Sequence, residues 1–278
     1  MNGIPVLEVL EVGWSTSIQD RGRPGYAHVG LGSAGTVDPV SMSRVNRGVG
    51  NESTDAVIET AGGLVLRALS PTMVLASSWS SPIRVTSGDT IAIAPDPTRR
   101  WVQVAVSGGI AAVPVLGSLS ADTMASLSPV PVSVGSVLCR GAKHAATPTD
   151  LTADTRDPNG AVRLWNGPRA DYVDGDPIDM LMSSTTQLGE GSRVGVRLDG
   201  VELSRCNRNE LPSEGLIPGA IQVPHDGRPI VMGPDHPVTG GYPVVAIVDP
   251  RDLWMLWCLP MSSPVRFIRA ERGDGISG

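Results

Sequence analysis

The sequence has few aromatic residues, and this limits how its core can be built. Of 278 residues, 4% are Phe, Trp or Tyr, and Phe267 is the single phenylalanine. The core must be filled by Val, Leu, Ile and Ala, and of these Val is best suited to strands. Glycine (33 residues) and proline (24 residues) are abundant, which favours short elements joined by turns over a helical bundle. The composition therefore predicts a mainly β fold.

The sequence also lacks the marks of several protein classes. Cys139, Cys206 and Cys258 are odd in number and widely spaced, so they predict neither a disulfide framework nor a CxxC metal site. The net charge of −6 argues against a nucleic-acid partner. The N-terminus has no signal-peptide pattern, and the uncharged stretch 101–121 predicts a strand and a loop, not a membrane span. We expect a cytoplasmic protein without a membrane or nucleic-acid partner.

Common catalytic signatures are missing as well. The chain has no GxxxxGK[ST] phosphate loop, no HExxH and no GxSxG, and its four histidines are not at metal-ligand spacing, so no metal site is predicted. Residues 30–35 match GxGxxG, but residues 24–29 before them are not a hydrophobic strand. This loop therefore predicts an anion-holding turn or a purely structural turn rather than a dinucleotide site.

Local signals predict two helices and one hairpin. Asp38-Pro39 and Asp249-Pro250 each place a helix-capping residue before a proline that suits the first helical position. Gly50 is expected to stop the first helix, and Pro260 the second. Asp226-Gly227 separates two apolar runs and predicts a hairpin turn, because glycine tolerates a positive φ.

A change in composition near the middle of the chain suggests two domains. Residues 146–160 are rich in Thr, Asp and Pro and show little periodicity, so they predict a linker. We expect an N-terminal β-rich domain over residues 1–145, a C-terminal β domain over 161–270 and a flexible tail over 271–278.

Two segments carry candidate site residues. In the first, Gln19, Asp20, Arg21 and Arg23 lie in a loop bounded by Gly and Pro, which suits either a clamp for a planar anion or a surface ion pair. The second runs from Ser213 to Pro243 through the predicted hairpin. Its polar groups would suit a small amide or urea-like ligand, with one carboxylate as base and backbone amides that stabilise an oxyanion. The alternative is that its Gly and Pro residues only shape a barrel corner. The candidates there are Glu214, Gln222, Asp235, Thr239, Gly240, Gly241 and Tyr242.

A series of motifs in one order spans nearly the whole chain. The motifs lie at residues 17–26, 38–39, 46–51, 58–59, 108–110, 115–118, 192–195, 197–200, 213–224 and 240–243. Together they resemble the allophanate hydrolase subunit 2 family, also known as the biotin-dependent carboxyltransferase or KipA-like family, to which one of the 5-oxoprolinase subunits belongs.

This resemblance implies a cyclophilin-like β-barrel architecture and a function within a complex. It implies a KipI-like subunit 1 chain as partner in a heteromer such as a heterotetramer, and a third, amidase-like subunit. The complex would use ATP to open 5-oxoproline to glutamate, with this chain inactive alone; whether the chain itself binds ATP stays open. In this interpretation Glu214 or Asp235 acts as base, and Arg21 or Arg23 clamps an oxyanion or a phosphate.

The same resemblance leaves two alternatives. One is the carboxyltransferase component of a biotin-dependent, urea carboxylase-like enzyme. The other is a non-catalytic antagonist of a KipI-like kinase inhibitor. In the family a basic residue often follows the Gly-Gly-Tyr-Pro motif, whereas Val244 follows it here, so no cation is expected at that point.

Overall fold

Short apolar runs alternate with Gly and Pro turns along the whole chain, and most of the runs form strands. The structure is a computed structural model that describes residues 3–141, 156–207 and 210–271. The chain divides into unit 1 (Met1–Gly25 and Ser33–Arg156) and unit 2 (Tyr26–Gly32 and Asp157–Gly278). Most of the predicted linker, 146–160, and residues 272–278 of the predicted tail lie outside the described residues.

The described residues of unit 1 form two antiparallel sheets and one α-helix. The sheets have the strand orders β7-β4-β1-β9 and β2-β3-β8-β5-β6. Val9 and Leu66 from the first sheet and Ile58 and Val104 from the second belong to one buried apolar cluster, so the sheets pack face to face. In chain order the strands are β1 (Ile4–Val12), β2 (Ser15–Gln19), β3 (Val57–Ala61), β4 (Leu64–Ala68), β5 (Thr72–Ala76), β6 (Ile83–Val85), β7 (Thr90–Ile93), β8 (Val102–Val106) and β9 (Val137–Arg140).

The helix of unit 1, α1 (Pro39–Gly48), begins where the sequence predicts. The Asp38 carboxylate accepts hydrogen bonds from the Val40 and Ser41 amides, and Pro39 occupies the first helical position, where its missing N–H costs nothing. Met42 and Val45 of α1 belong to a second apolar cluster with residues of β3, β5 and β8. The helix thus covers the outer face of the second sheet.

Unit 2 is built around a seven-stranded sheet of order β11-β12-β15-β14-β17-β10-β18, with a separate two-stranded ribbon, β13-β16. Its helices are α2 (Pro177–Ser183) and α3 (Leu253–Cys258). The prediction of a mainly β chain with a few short helices is confirmed, and the fold includes a curled half-barrel sheet. The strands are β10 (Ala161–Asn166), β11 (Gln187–Gly191), β12 (Gly195–Asp199), β13 (Glu214–Gly215), β14 (Ala220–Gln222), β15 (Ile230–Met232), β16 (Thr239–Gly240), β17 (Val244–Val248) and β18 (Arg266–Arg269).

The predicted hairpin is present in the middle of this sheet. Strands β14 and β15 pair antiparallel, and the chain between them turns at Asp226 and Gly227, where Gly227 has a φ of 73°. Pro224 and Pro229 lie outside both strands, so neither removes a ladder hydrogen bond.

The predicted start of the last helix was wrong. Helix α3 begins at Leu253, and the Asp249 side chain caps no helix. Instead the Asp249 carboxylate accepts hydrogen bonds from Arg251 and from the Trp165 indole of β10. One of these donors is the Arg251 amide at 3.0 Å, so the Asp249 side chain stabilises a turn over residues 250–252 that precedes the helix.

Helix α2 was not predicted, although the sequence carries the same signal. Asp176 precedes Pro177, and its carboxylate accepts from the amides of Ile178 and Asp179. The stretch 101–121 gives β8 and a following loop, as predicted. Among the described residues no helix is long and apolar enough to cross a membrane.

Candidate functional site

The ribbon β13-β16 brings two halves of the predicted C-terminal site together. Glu214 pairs with Gly240 and Gly215 with Thr239. The ladder continues one residue further, where the Leu216 amide donates to the Val238 carbonyl at 2.9 Å. Residues from the two ends of the predicted segment therefore become direct cross-strand neighbours.

The Gln222 side chain ties the ribbon to the main sheet. This side chain is buried, and its Nε2 donates to the Tyr242 carbonyl at 3.0 Å. A Cβ atom at Gly240 would lie 2.8 Å from Gln222 Nε2, so the amide packs directly on the glycine backbone. Glu214, Gln222, Thr239, Gly240 and Tyr242 thus form one group, which we call the ribbon cluster; the predicted Gly241 lies between its last two members.

The ribbon cluster contains an ion pair that the sequence did not reveal. The guanidinium of Arg169, just after β10, donates to both carboxylate oxygens of Glu214, with Nε 3.2 Å from Oε2. The hydrogen bond from Arg169 keeps the pKa of the Glu214 carboxyl below its ordinary value of 4.5. Glu214 is therefore an anion at neutral pH and a weak base. Nothing in the local sequence links two residues 45 positions apart.

Asp235 does not join Glu214 as a second available carboxylate. Its side chain is fully buried, and its two oxygens accept from Nε and Nη2 of Arg193 at 3.0 and 2.9 Å. The Asp235 amide also donates to the Arg193 carbonyl. A buried carboxylate paired in this way cannot reach a ligand, so the base role predicted for Asp235 has no geometric support.

In unit 1 the Asp20 carboxylate is engaged by its own fold. It accepts from the Ser118 hydroxyl at 2.6 Å, the Ser120 hydroxyl at 2.7 Å, the Leu119 amide at 2.7 Å and the Gly22 amide at 2.7 Å. Three of these donors meet Oδ1, and the Leu119 amide meets Oδ2. Asp20 therefore holds two loops together.

Gln19 and Arg23 also point inward in unit 1. Both side chains are buried; Gln19 Nε2 donates to the Ala121 carbonyl at 3.2 Å, and Arg23 Nη2 donates to the Ser120 carbonyl. Arg21 is exposed, so it is the residue of this loop that remains accessible in unit 1. Of the two arginines predicted as an anion clamp, Arg21 is exposed, and Arg23 is buried and donates within the loop.

A comparison with known families decides where this chain belongs. Residues 29–269 match the family described as carboxyltransferase domain, subdomain A and B. The chain is a member of this carboxyltransferase family. The ribbon cluster lies inside the matched range, whereas Gln19, Asp20, Arg21 and Arg23 lie before it.

Two relatives of this carboxyltransferase chain differ greatly in length. It is 29% identical over 298 residues to a 5-oxoprolinase subunit of Escherichia coli K12, and the match covers 98% of this chain and 93% of that protein. It is 24% identical over 309 residues to the urea amidolyase of Lachancea kluyveri, and the match covers 94% of this chain but 17% of that protein.

One solved structure has a similar fold. The crystal structure of TTHA0988 superposes with a TM-score of 0.84 at 30% sequence identity. The match covers 95% of this chain and 56% of TTHA0988, so the present chain spans about half the length of that protein.

Among the described residues of this carboxyltransferase chain, no group of three or more His, Cys, Asp or Glu side chains is arranged to hold a metal ion. Cys139, Cys206 and Cys258 form no disulfide in the described part of the chain.

Proposed function

We propose that the chain is a subunit of an ATP-dependent, 5-oxoprolinase-type amide hydrolase that opens 5-oxoproline to glutamate. The observation that carries the proposal is the match to the 5-oxoprolinase subunit of E. coli, because it extends over nearly all of both proteins. Because the match covers 93% of that relative, its role in 5-oxoprolinase does not depend on a further domain that the present chain lacks.

The ribbon cluster suits a small cyclic amide. Such a ligand has one N–H donor and one carbonyl acceptor, and it requires both kinds of partner in a site. Glu214 is an anion with a lowered pKa, so it is better fitted to accept a hydrogen bond from the ring N–H than to remove a proton. We assign this role to Glu214, with Arg169 as the residue that holds the carboxylate in place.

The chemistry requires activation of the amide, since the ring C–N bond is stable in water. In the proposed reaction the γ-phosphoryl group of ATP is transferred to the ring amide oxygen. ADP leaves, water adds to the ring carbon, the C–N bond breaks and the nitrogen takes a proton, which leaves an acyl phosphate at the opened end. A second water hydrolyses this acyl phosphate to the side-chain carboxylate of glutamate and inorganic phosphate. We assign the use of ATP to the complex as a whole.

The proposal includes partners and a location. The chain would join a KipI-like subunit 1 in a heteromer, with a third, amidase-like protein, in the cytoplasm. We expect the chain alone to be inactive, because the phosphoryl transfer requires groups that the ribbon cluster does not supply.

A direct test is co-expression of the chain with the subunit 1-like and amidase-like proteins of the same organism. We expect the purified complex to hydrolyse ATP faster when 5-oxoproline is added and to release one glutamate per ATP. A complex that is intact by size-exclusion chromatography but shows no stimulation by 5-oxoproline would overturn the proposal.

The family itself favours a second candidate function. The family is described as a carboxyltransferase domain, and the urea amidolyase relative matches over 94% of this chain. A carboxyltransferase would move a carboxyl group from carboxybiotin to a small amide such as urea, which presents the same donor and acceptor pattern. Activity that avidin abolishes, and that requires urea instead of 5-oxoproline, would favour this candidate.

A further inference from the structure

A polar cavity of about 280 Å³ lies in unit 2, beside the β14-β15 hairpin and separate from the groups assigned above. Its lining includes a guanidinium, a carboxylate, an imidazole and a hydroxyl. The lining residues are Glu202, Ser204, Arg205, His225 and Gly227. Glu202, Ser204 and His225 are exposed, so the cavity opens to solvent.

The wall formed by residues 202–205 is fixed against the hairpin. The Leu203 amide donates to the Gly227 carbonyl at 2.9 Å. The Glu202 side chain packs on Gly227, where an added Cβ would lie 2.8 Å from Glu202 Cγ. Because Gly227 also has a φ of 73°, another residue would be strained there and would push the carboxylate away. The position of Glu202 in the cavity is therefore built into the turn.

Arg205 is positioned from two sides. Its backbone forms an antiparallel bridge with Val173, and the neighbouring Ser204 carbonyl accepts from the Asp174 amide at 3.1 Å. Its Nη1 lies 3.1 Å from His225 Nδ1. Since a guanidinium can only donate, Nδ1 is the acceptor of this hydrogen bond. The edge of the His225 ring meets Tyr242, with ring centroids 5.9 Å apart.

The charges in the cavity restrict its ligand. A phosphate or another multiply charged anion would face repulsion from Glu202, and a simple cation would face repulsion from Arg205. A ligand that carries a negative group beside a positive group can pair with both Arg205 and Glu202. We infer that this cavity is a binding site for a free α-amino acid, whose carboxylate contacts Arg205 and whose ammonium group contacts Glu202.

The choice of amino acid rests on the proposed function, in which glutamate is the product. Its α-carboxylate and ammonium group meet Arg205 and Glu202, and its side-chain carboxylate extends to the side of the cavity that is open to solvent. Glutamate in this cavity would lie next to Tyr242 of the ribbon cluster, through the contact of Tyr242 with His225. The cavity thus acts as a subsite for the released product, and glutamate bound there restrains a further turnover.

The test uses L-glutamate as the probe, with the purified chain and with the assembled complex. By isothermal titration calorimetry we expect L-glutamate to bind, and N-acetyl-L-glutamate, which lacks the ammonium group, to bind at least about tenfold more weakly. Arg205→Gln and Glu202→Gln should each weaken L-glutamate binding by about tenfold or more. Arg228→Gln is the matched control, since Arg228 pairs with Asp199 on the exterior and does not line the cavity.

The outcomes separate this inference from the proposed function. Three results would overturn the inference, even if 5-oxoproline stimulates ATP hydrolysis by the complex. L-glutamate does not bind, N-acetyl-L-glutamate binds as tightly as L-glutamate, or Arg205→Gln binds L-glutamate as tightly as wild type. Binding that depends on Arg205 and Glu202 supports it, even if that stimulation is absent. In an active complex, L-glutamate should inhibit wild type at concentrations at which Arg205→Gln is unaffected.

Discussion

Arg193 and Asp235 form a bidentate ion pair in which both side chains are excluded from solvent. Their side chains are 2% and 0% exposed, and the pair closes two parallel hydrogen bonds. A buried charge that loses its partner is destabilising because its desolvation is no longer compensated. Asp235 therefore has a structural role in unit 2.

Replacing Asp235 by Asn should accordingly destabilise the chain. We expect a loss of about 3–5 kcal/mol in the free energy of unfolding, because Arg193 would stay buried and charged while the carboxylate that accepts two of its hydrogen bonds is lost. Urea denaturation followed by tryptophan fluorescence measures this loss. Asp226→Asn is the control: Asp226 is 48% exposed, and Asn-Gly suits the same turn. Wild-type stability together with lost activity in Asp235→Asn would restore the role of this residue as base.

Glu214→Gln should separate function from stability. The Glu214 side chain is partly exposed, and it pairs with Arg169, which is itself 36% exposed. We expect an unchanged melting temperature but a fall of about tenfold or more in kcat/KM for 5-oxoproline in the complex, because a charge-assisted hydrogen bond is lost. Glu8→Gln, which breaks the exposed pair with Arg67 in unit 1, should change neither quantity. Full activity of Glu214→Gln would remove Glu214 from the site.

Two glycines of the ribbon give a matched pair of alanine variants. A Cβ at Gly240 would lie 2.8 Å from both Gln222 Nε2 and Leu216 Cδ1, whereas a Cβ at Gly215 would meet nothing within 4 Å. We expect Gly240→Ala to cost about 1–3 kcal/mol and to lower activity by displacing Gln222. Gly215→Ala should leave stability unchanged. Thermal unfolding and the complex assay measure both effects, and equal behaviour of the two variants would contradict this difference in packing.

Asp249 should give a pH-dependent contribution to stability. Hydrogen bonds from Arg251 hold the pKa of Asp249 well below its ordinary value of 3.8. A lowered pKa in the folded state stabilises the protein fully above pH 3.8, and this contribution is lost as the pH falls towards the folded value. Asp249→Asn should cost about 1–2 kcal/mol at pH 7, since Arg251 is 44% exposed and the pair is partly screened. The difference in the free energy of unfolding between wild type and Asp249→Asn should become smaller below pH 3.8. A difference that stays constant from about pH 7 to 3 would contradict this assignment.

The helices show how far local signals reach. At Asp38 the carboxylate caps α1 as predicted, because Val40 and Ser41 offer the nearest donors. At Asp249 the same dipeptide signal gives a turn instead: the carboxylate accepts from the amide and the side chain of Arg251 and from the Trp165 indole, and the helix begins only at Leu253. A charged donor alone does not explain the difference, because Asp38 also accepts from the Arg156 guanidinium and still caps α1.

In the candidate site, too, the local sequence predicts some features, and others depend on the fold. Its residue types and the hairpin at Asp226-Gly227 follow from the sequence, and the ribbon cluster forms where the hairpin folds back. Arg169 and Arg205 were not foreseen as site residues, since each acts on a partner at least 20 positions away in the chain.

The sequence by itself determined the mainly β character, the α1 cap, the central hairpin and the group of polar residues between Ser213 and Pro243. These features depend on backbone preferences and apolar patterning within a few residues. Only the tertiary structure decided which carboxylate is available, because that depends on distant partners: Arg193 buries Asp235 as an ion pair, while Arg169 keeps Glu214 charged at the surface. Burial and pairing between distant segments cannot be deduced from the spacing of residues along the chain.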